Sequence, residues 1–457
     1  MQEYALNNEG AITSLKRWQK EAVGLLYIGT FLEYFDLMLY VHMVVLLNEL
    51  FFPQLDPHTT SIITAVSFCT TYLLRPVGAL IFGYIGDQIG RKATVTITTF
   101  IMAISCLIMA NLPTYKEIGI SASILVIICR GLQGVASMGE LIGAELYIIE
   151  ITKRPAQYLL VTLISVFTVA GGATALCIAS LVTSFQLNWR LAFWIGTAVA
   201  IIGIAARTSL RETPEFIKAK YQIKKELAKI NRNTKLTSNL TDHIKVSKQT
   251  ILSYFLISCG YPVCFYFSYI YCGTILKSTF GFNSAQVIHQ SFIVSIIQLL
   301  GIFLFAFLSY RIYPLKIVKV RMIIFFILIL CFPYLISHIS TSFHLLVIQS
   351  SIVLVAIDIM PAVSITLKHF PIFKRFTYAS ILFALSRIVM HLLTFFGIVY
   401  LTKYCGHWGI LIIMVPVSLG FAFGIRHFEM LESKSFSSKQ YGKVIYLSDF
   451  IRNSQDI

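Results

Sequence analysis

The sequence predicts an all-α integral membrane protein: twelve transmembrane helices in two six-helix bundles, with both termini in the cytoplasm. Three observations carry this. The chain is 57% hydrophobic and only 13% charged, against about a quarter charged in ordinary soluble domains, and its mean hydropathy is +0.77. Apolar stretches of about 20 residues, the length a helix needs to cross a bilayer, recur from end to end. The basic residues, finally, gather in every second loop.

The elements follow in order. Residues 1–19 are polar and lack a small-residue cleavage site, so they are expected to be a cytoplasmic segment rather than a cleaved signal. Segments 1–6 are expected at about 20–50, 60–86, 93–111, 119–148, 158–184 and 189–210, forming an N-terminal bundle over 20–210. A basic cytoplasmic linker covers 211–248. It opens with Arg211-Glu212-Thr213-Pro214-Glu215-Phe216, where Thr213 suits a helix cap, Pro214 the first helical position and Glu215 the positive end of the dipole. Phe216, Ile223, Leu227 and Ile230 then form a thin apolar stripe among lysines, the pattern of an amphipathic helix at a membrane surface. Segments 7–12 are expected at 249–280, 284–310, 316–337, 341–367, 377–401 and 405–428, a C-terminal bundle over 249–428. Lys316, Lys319 and Arg321 crowd the start of the ninth, and 429–457 is left as a cytoplasmic tail. A 6+6 plan of this kind suggests a duplicated transporter with its halves related about the membrane normal.

The net charge of +16 does not point to nucleic acid, because it follows topology. About 30 of the 37 Lys and Arg residues fall in seven regions, including Arg91 and Lys92, Lys153 and Arg154, eleven over 207–248 and four over 311–321. The alternate loops hold only Lys116, Arg190, Lys277 and Lys403. Nine cysteines at irregular spacings, without a CxxC pair, indicate neither zinc nor a disulfide framework, and no cofactor is expected. The chain also has no nucleotide-binding glycine loop after a strand, no HExxH and no nucleophile elbow in context, which argues against an enzyme.

Charged side chains at membrane depth cost at least about 2.5–3.5 kcal/mol each on insertion scales, so each requires a reason. In segment 1, GTFLEYFDLMLY places Glu33, Asp36 and Tyr40 at i, i+3 and i+7, one face of a helix. Two carboxyls this close in low dielectric resist simultaneous ionisation, and a carboxyl that can be neutral or charged near neutral pH is what proton-coupled transport requires. A static pair that only fixes helix packing is the alternative. In segment 4, Arg130, Gln133 and Glu140 share one side of a glycine-rich helix, with Arg130 a suitable partner for a segment 1 carboxylate. Glu145 is a further candidate, while Glu150 reads as a solvated end residue. Arg75, followed by Pro76, is placed to meet an acid of segment 1 or 4 or an anionic part of a substrate. The second half offers Asp358, Arg387 and His391, with Tyr261, Tyr266, Tyr269 and Tyr271 as aromatic faces that a cation could use.

GYIGDQIGRK at 83–92 is similar to the loop 2–3 signature of the major facilitator superfamily, with Gly83, Asp87, Gly90, Arg91 and Lys92 at matching positions. The resemblance implies the major facilitator fold and assigns these residues to a latch that holds the outward-facing state and breaks as the halves rock. RGLQG at 130–134 looks like the segment 4 arginine motif of proton-coupled members. Together with GTFLEYFD, LLRPVGA, GLQGVASMGELIGA, NWRLAFW and LRETPEF, it resembles the metabolite:H+ symporter branch over about residues 20–216. That branch contains proline/glycine-betaine, 2-oxoglutarate, citrate and shikimate carriers, and the resemblance is nearest to the proline/betaine type. The departures lie mainly in the second half. The repeated loop signature reads AFLSYRIYPL, and in LKHFPIFKR Lys368 stands where the family has an acid.

The expectation is an inner-membrane carrier that imports a small zwitterionic osmolyte with H+. Its partners would be that substrate, protons and the bilayer, and it would act as a monomer. Glu33, Asp36 and Arg130 would couple the proton. Tyr40, Arg75, Gln133 and Glu140 would line the substrate pocket, and Gly83, Asp87, Gly90, Arg91 and Lys92 would form the gate. An organic-acid importer, with Arg75 and Arg130 or Arg387 as carboxylate ligands, and a non-transporting sensor derived from a carrier are the alternatives.

Overall fold

The structure is a computed structural model that describes residues 15–52, 71–185, 187–208, 210–230 and 246–440. Every regular element among them is helical. We number the main helices α1 (Arg17–Phe51), α2 (Arg75–Gln88), α3 (Arg91–Asn111), α4 (Ile120–Ile151), α5 (Ala156–Ser184), α6 (Arg190–Thr208) and α7 (Pro214–Ile230). There follow α8 (Lys248–Phe280), α9 (Ser284–Arg311), α10 (Pro314–Ser337), α11 (Ser342–Val355), α12 (Val363–Leu367), α13 (Arg375–Leu392) and α14 (Gly409–Gln440). Among the described residues seven helices are long and apolar enough to cross a membrane. The first part of the expected second segment and both chain ends lie outside the described residues.

Helices α1–α6 pack mainly on one another, with α1 against α5 and α6, and α3 against α4 and α6. Helices α8–α14 form a second set, in which α8 packs on α13 and α14. The sets meet along α2 with α13 and along α5 with α9. One apolar core joins both sets and includes Tyr147, Tyr158, Tyr254, Phe370 and Phe376. A second lies within the first set around Phe35, Tyr40, Phe51, Trp189 and Phe193.

Two glycines of the 83–92 stretch are required by geometry. A Cβ on Gly83 would lie 2.9 Å from the Thr377 Cα, so α2 and α13 touch backbone to backbone there. Gly90 has φ +144 and precedes α3; its missing side chain leaves room for the Glu212 carboxylate. Glu212 accepts from the Arg91 and Lys92 amides at 3.1 and 3.3 Å, satisfying two of the orphan donors at the helix start.

The expected continuous segment over 341–367 is broken. Helix α11 ends at Val355 and α12 begins at Val363, with Asp358 in the non-helical stretch between them. Pro361 offers no N–H and turns the residue before it away from helix. The freed carbonyls of Ala356 and Met360 accept from Arg321 at 2.8 and 2.7 Å. Irregular backbone at membrane depth survives where protein donors replace water. Arg321, grouped above with the topological charges, is buried with its guanidinium 4.6 Å from the Phe305 ring centroid. Pro76 acts similarly in the second segment, where the helix is interrupted at Leu74 and α2 starts at Arg75. Helix α14 runs past the expected boundary at 428, and Glu429 and Glu432 on that extension are bonded to other elements.

Gly83→Val should force α2 off α13 and destabilise the fold by about 1–3 kcal/mol, seen as a lower melting temperature in detergent. Gly24→Ala, where nothing lies within 4 Å of the added atom, should leave it unchanged or slightly raised.

Candidate functional site

The segment 1 carboxyls are buried inside the first set of helices, each 3% exposed. Asp36 accepts from Cys106 Sγ at 2.7 Å and from Gln133 Nε2 at 2.5 Å. Arg130 donates to Gln133 Oε1 at 2.8 Å, and its guanidinium lies 4.1 Å from the Tyr40 ring centroid. Arg130 therefore reaches Asp36 through Gln133 and covers Tyr40 at the same time. Glu33 has one oxygen, Oε2, buried without a hydrogen-bond partner. With Asp36 and Glu140 it borders a small cavity of roughly 10 Å³, space for about one water.

Glu140, expected in the substrate pocket, is bound within the first set. Both its carboxylate oxygens accept from Arg207, and Thr98 and Thr99 donate to it at 3.0 and 3.2 Å. Arg207 is one of the eleven basic residues over 207–248 counted above with the topological charges. It is in fact fully buried, because the last turn of α6 folds its side chain back between α1, α3 and α4.

Between the two sets, Arg75 and Arg387 lie within electrostatic reach of one another. Arg75 sits 4.6 Å from the Tyr72 ring centroid, and Tyr72 meets the His391 ring at 4.2 Å. Arg387, one turn before His391 on α13, lies 4.4 Å from the Phe383 centroid and 5.5 Å from that of Tyr261. Glu145 and Asp358 both interact electrostatically with Arg387, and Glu33 with Arg75.

The 83–92 stretch ends against the second set. Asp87 accepts from the backbone amides of Phe376 and Thr377 at 3.1 and 2.9 Å and from the Thr377 hydroxyl at 2.8 Å, the free donors that open α13. Arg91 pairs with Glu150 at 2.9 Å and donates to the Ile372 carbonyl at 2.8 Å. Glu150, expected to be solvated, has a completely buried side chain. It also accepts from Thr213 at 2.6 Å and faces Arg375 at 3.5 Å. Thr213, expected to cap α7, gives its hydroxyl to this carboxylate. Phe216, 2% exposed, fills the space between the Arg91 guanidinium and Phe373. Lys92 donates to the Thr208 carbonyl at 3.2 Å. The side chains of Ile223, Leu227 and Ile230 lie outside the described residues.

A second cross-contact carries no counterpart in the motifs. Arg154 donates two bonds of 3.0 Å to Glu432 on α14, and Tyr313 donates to the same carboxylate at 3.3 Å. His369 approaches it at 3.4 Å. Beside this cluster Lys368 is held down at about 8, first by burial and then by the positive charge of Arg154. Another cavity, roughly 470 Å³ and bordered by Tyr84, Asp87, Ile251, Lys374 and Tyr378, lies beside the Asp87–Thr377 contact, and neither segment 1 carboxyl lines it. Among the described residues no cluster of three or more His, Cys, Asp or Glu is arranged to hold a metal.

Residues 26–371 match the family model described as Major Facilitator Superfamily. The chain is similar to the inner membrane metabolite transport protein YhjE of Escherichia coli (strain K12), 32% identical over 294 residues, 62% of this chain and 62% of that protein. It is also similar to the proline/betaine transporter of Salmonella typhimurium, 32% identical over 204 residues, 43% of this chain and 41% of that one. The chain thus matches less than two thirds of the length of these curated relatives. In fold it is similar to the proton:xylose symporter XylE bound to 6-bromo-6-deoxy-D-glucose, with a TM-score of 0.69 and 16% identity over 88% of this chain and 94% of that one.

Two outcomes follow from this geometry. Glu140→Ala or Arg207→Ala strands a buried charge and should destabilise by about 3–5 kcal/mol, whereas the double replacement Glu140→Met with Arg207→Leu should lose less than either single change; denaturant unfolding of the four proteins measures this. Lys368 titrates near 8 in the fold against an ordinary 10.5, so its charged form is penalised by folding. The penalty is complete below pH 8 and relieved as pH rises towards 10.5. Lys368→Met should therefore melt above the parent at pH 7, with the gap closing by about pH 10.

Proposed function

This chain belongs to the Major Facilitator Superfamily, and on that premise we propose a secondary active transporter of the bacterial inner membrane. It imports a small zwitterionic osmolyte such as proline or glycine betaine together with H+, by alternating access. Twelve spanning helices, two six-helix bundles and cytoplasmic termini belong to the same proposal. Relatives named proline/betaine transporter support the substrate class, and the inner-membrane relative supports the location. The family consists of transporters rather than enzymes.

The observation that carries the coupling is the path from Asp36 through Gln133 to Arg130. An ionised Asp36 accepts from Gln133 and holds that amide with its oxygen towards Arg130. Protonation of Asp36 at Oδ2 turns the oxygen that accepts from Gln133 into a donor. Gln133 must then reorient or let go, and Arg130 loses the acceptor that fixes it over Tyr40. One proton is thereby converted into movement of a buried guanidinium. Glu33, with an unpartnered oxygen beside the one-water cavity, is the neighbouring group to exchange that proton with. At the other end, Asp87, Arg91 and Glu150 with Arg375 hold the two sets of helices together, so the described state is closed on that face. Gly83 and Gly90 give the latch its close approach and turn, and Lys92 fastens it to α6. Tyr40, Arg75 and Gln133 line the substrate pocket. Glu140 anchors α4 through Arg207.

The placement of Arg75 and Arg387 also favours a second reading, import of an organic acid. Proteoliposome uptake separates the two. Labelled proline and glycine betaine are offered with and without an inward-acidic gradient, and 2-oxoglutarate and shikimate are added as competitors. Gradient-dependent osmolyte accumulation is expected. Asp36→Asn should abolish that accumulation while leaving substrate exchange across the membrane, and Glu33→Gln should slow it by about a hundredfold or more, the usual range for a lost proton-transfer group. If both variants accumulate substrate as the parent does, the coupling scheme is wrong.

A further inference from the structure

The arginines of the interior divide into two kinds. Arg130, Arg207 and Arg321 each donate to a protein oxygen. Among the described residues Arg75 and Arg387 instead rest on rings: Arg75 on Tyr72, Arg387 on Phe383 and Tyr261. Arg75 is 5% exposed, and its Nε is buried without an acceptor. A ring face offsets positive charge but accepts no directed hydrogen bond of the strength a carboxylate provides. Two guanidinia in electrostatic reach of each other also repel, which works against bringing their helices together.

These two helices are the ones that the latch joins. Asp87, twelve residues after Arg75 on α2, grips Thr377, ten residues before Arg387 on α13. The latch therefore fixes one end of the α2–α13 contact, and the two arginines lie towards the other. A tyrosine–histidine contact, Tyr72 with His391, already links the two elements at that level. A carboxylate placed between the two arginines offers one acceptor oxygen to each fork.

Resting on the carrier reading above, we infer that Arg75 and Arg387, one from each set of helices, clamp the carboxylate of the transported molecule between them. The carboxylate supplies the acceptors, cancels the repulsion and draws α2 towards α13. Glu145 and Asp358 interact electrostatically with Arg387, and Glu33 with Arg75, so carboxyl groups are at hand to meet a cationic group on the same molecule. The site thus selects first for a carboxylate and second for a positive centre close to it.

The test is ligand-induced thermal stabilisation of the purified full chain in detergent. Glycine betaine, proline, shikimate and 2-oxoglutarate carry a carboxylate; choline, glycerol and D-xylose do not. At least one carboxylate should raise the melting temperature, and the carboxylate-free compounds should not. Arg387→Gln and Arg75→Gln should each weaken the responding carboxylate by about tenfold or more, with the unliganded melting temperature close to the parent's. If a glutamine variant does not fold, Arg387→Lys keeps the charge and loses the fork, and should still bind several-fold more weakly. Choline matching glycine betaine, no response to any carboxylate, or undiminished affinity in Arg387→Gln and Arg387→Lys each overturns the clamp. Carboxylate stabilisation that depends on Arg387, without gradient-driven uptake, would instead reject the symport reading and keep the clamp.

Discussion

A charge inside this bundle has no water to solvate it, and the arrangement of the helices follows from how each charge is met. The Glu140–Arg207 pair shows the constraint in its simplest form: a two-pronged ion pair with two threonine hydroxyls on the same carboxylate, tying α3, α4 and α6 together. Arg321 meets it differently, by supplying donors to backbone carbonyls where α11 breaks. Asp87 meets it with the start of another helix. In each case the charge is retained because several elements converge on it. Removing one partner would leave the others buried and unmatched.

The two sets of helices answer this constraint unequally. The first keeps the full 83–92 signature, with Arg91 and Glu150 at its centre. In the second, AFLSYRIYPL offers neither the acid nor the arginine of such a signature at the matching places. Its closing contact is built instead from the far end of the chain, where Glu432 on α14 receives Arg154 from the first set and Tyr313 from the altered loop. Tyr313, which looks like a loss when the sequence is compared with the signature, donates a hydrogen bond in the replacement. Lys368, which stands where an acid is usual, lies among Arg154 and Arg375 and is charged only at a cost.

The parts of this arrangement that the sequence discloses are those encoded locally. Helix positions follow from apolar length, and eight expected segments begin and end within about three residues of the observed helices because hydropathy is a sum over neighbours. The geometry of Gly83 and Gly90 is legible because only glycine permits it. Arg207 and Glu150 were misread for one common reason. Both stand near helix ends, where a charge normally reaches water, and nothing in the sequence reveals that Arg207 turns back to Glu140 or that α7 and the 370–377 region cover Glu150. The Arg154–Glu432 contact joins residues 278 positions apart, beyond any local pattern. Pro361 is a visible signal for the break after Val355, but the guanidinium that makes the break tolerable lies on another helix.

The closed face sets an energetic condition on opening. Asp87 alone accepts three hydrogen bonds, and Glu150 is held by Arg91, Arg375 and Thr213. Hydrogen bonds to charged groups contribute about 1.5–3 kcal/mol each. Reversing a two-state preference from 1:99 to 99:1 requires about 5.5 kcal/mol of differential binding. A proton whose site differs by one pKa unit between the two states supplies about 1.4 kcal/mol of differential binding, a quarter of that amount. In the coupling proposed above, one such proton therefore falls short of turning the molecule, and a ligand that binds the two states differently supplies the balance: each event is insufficient alone.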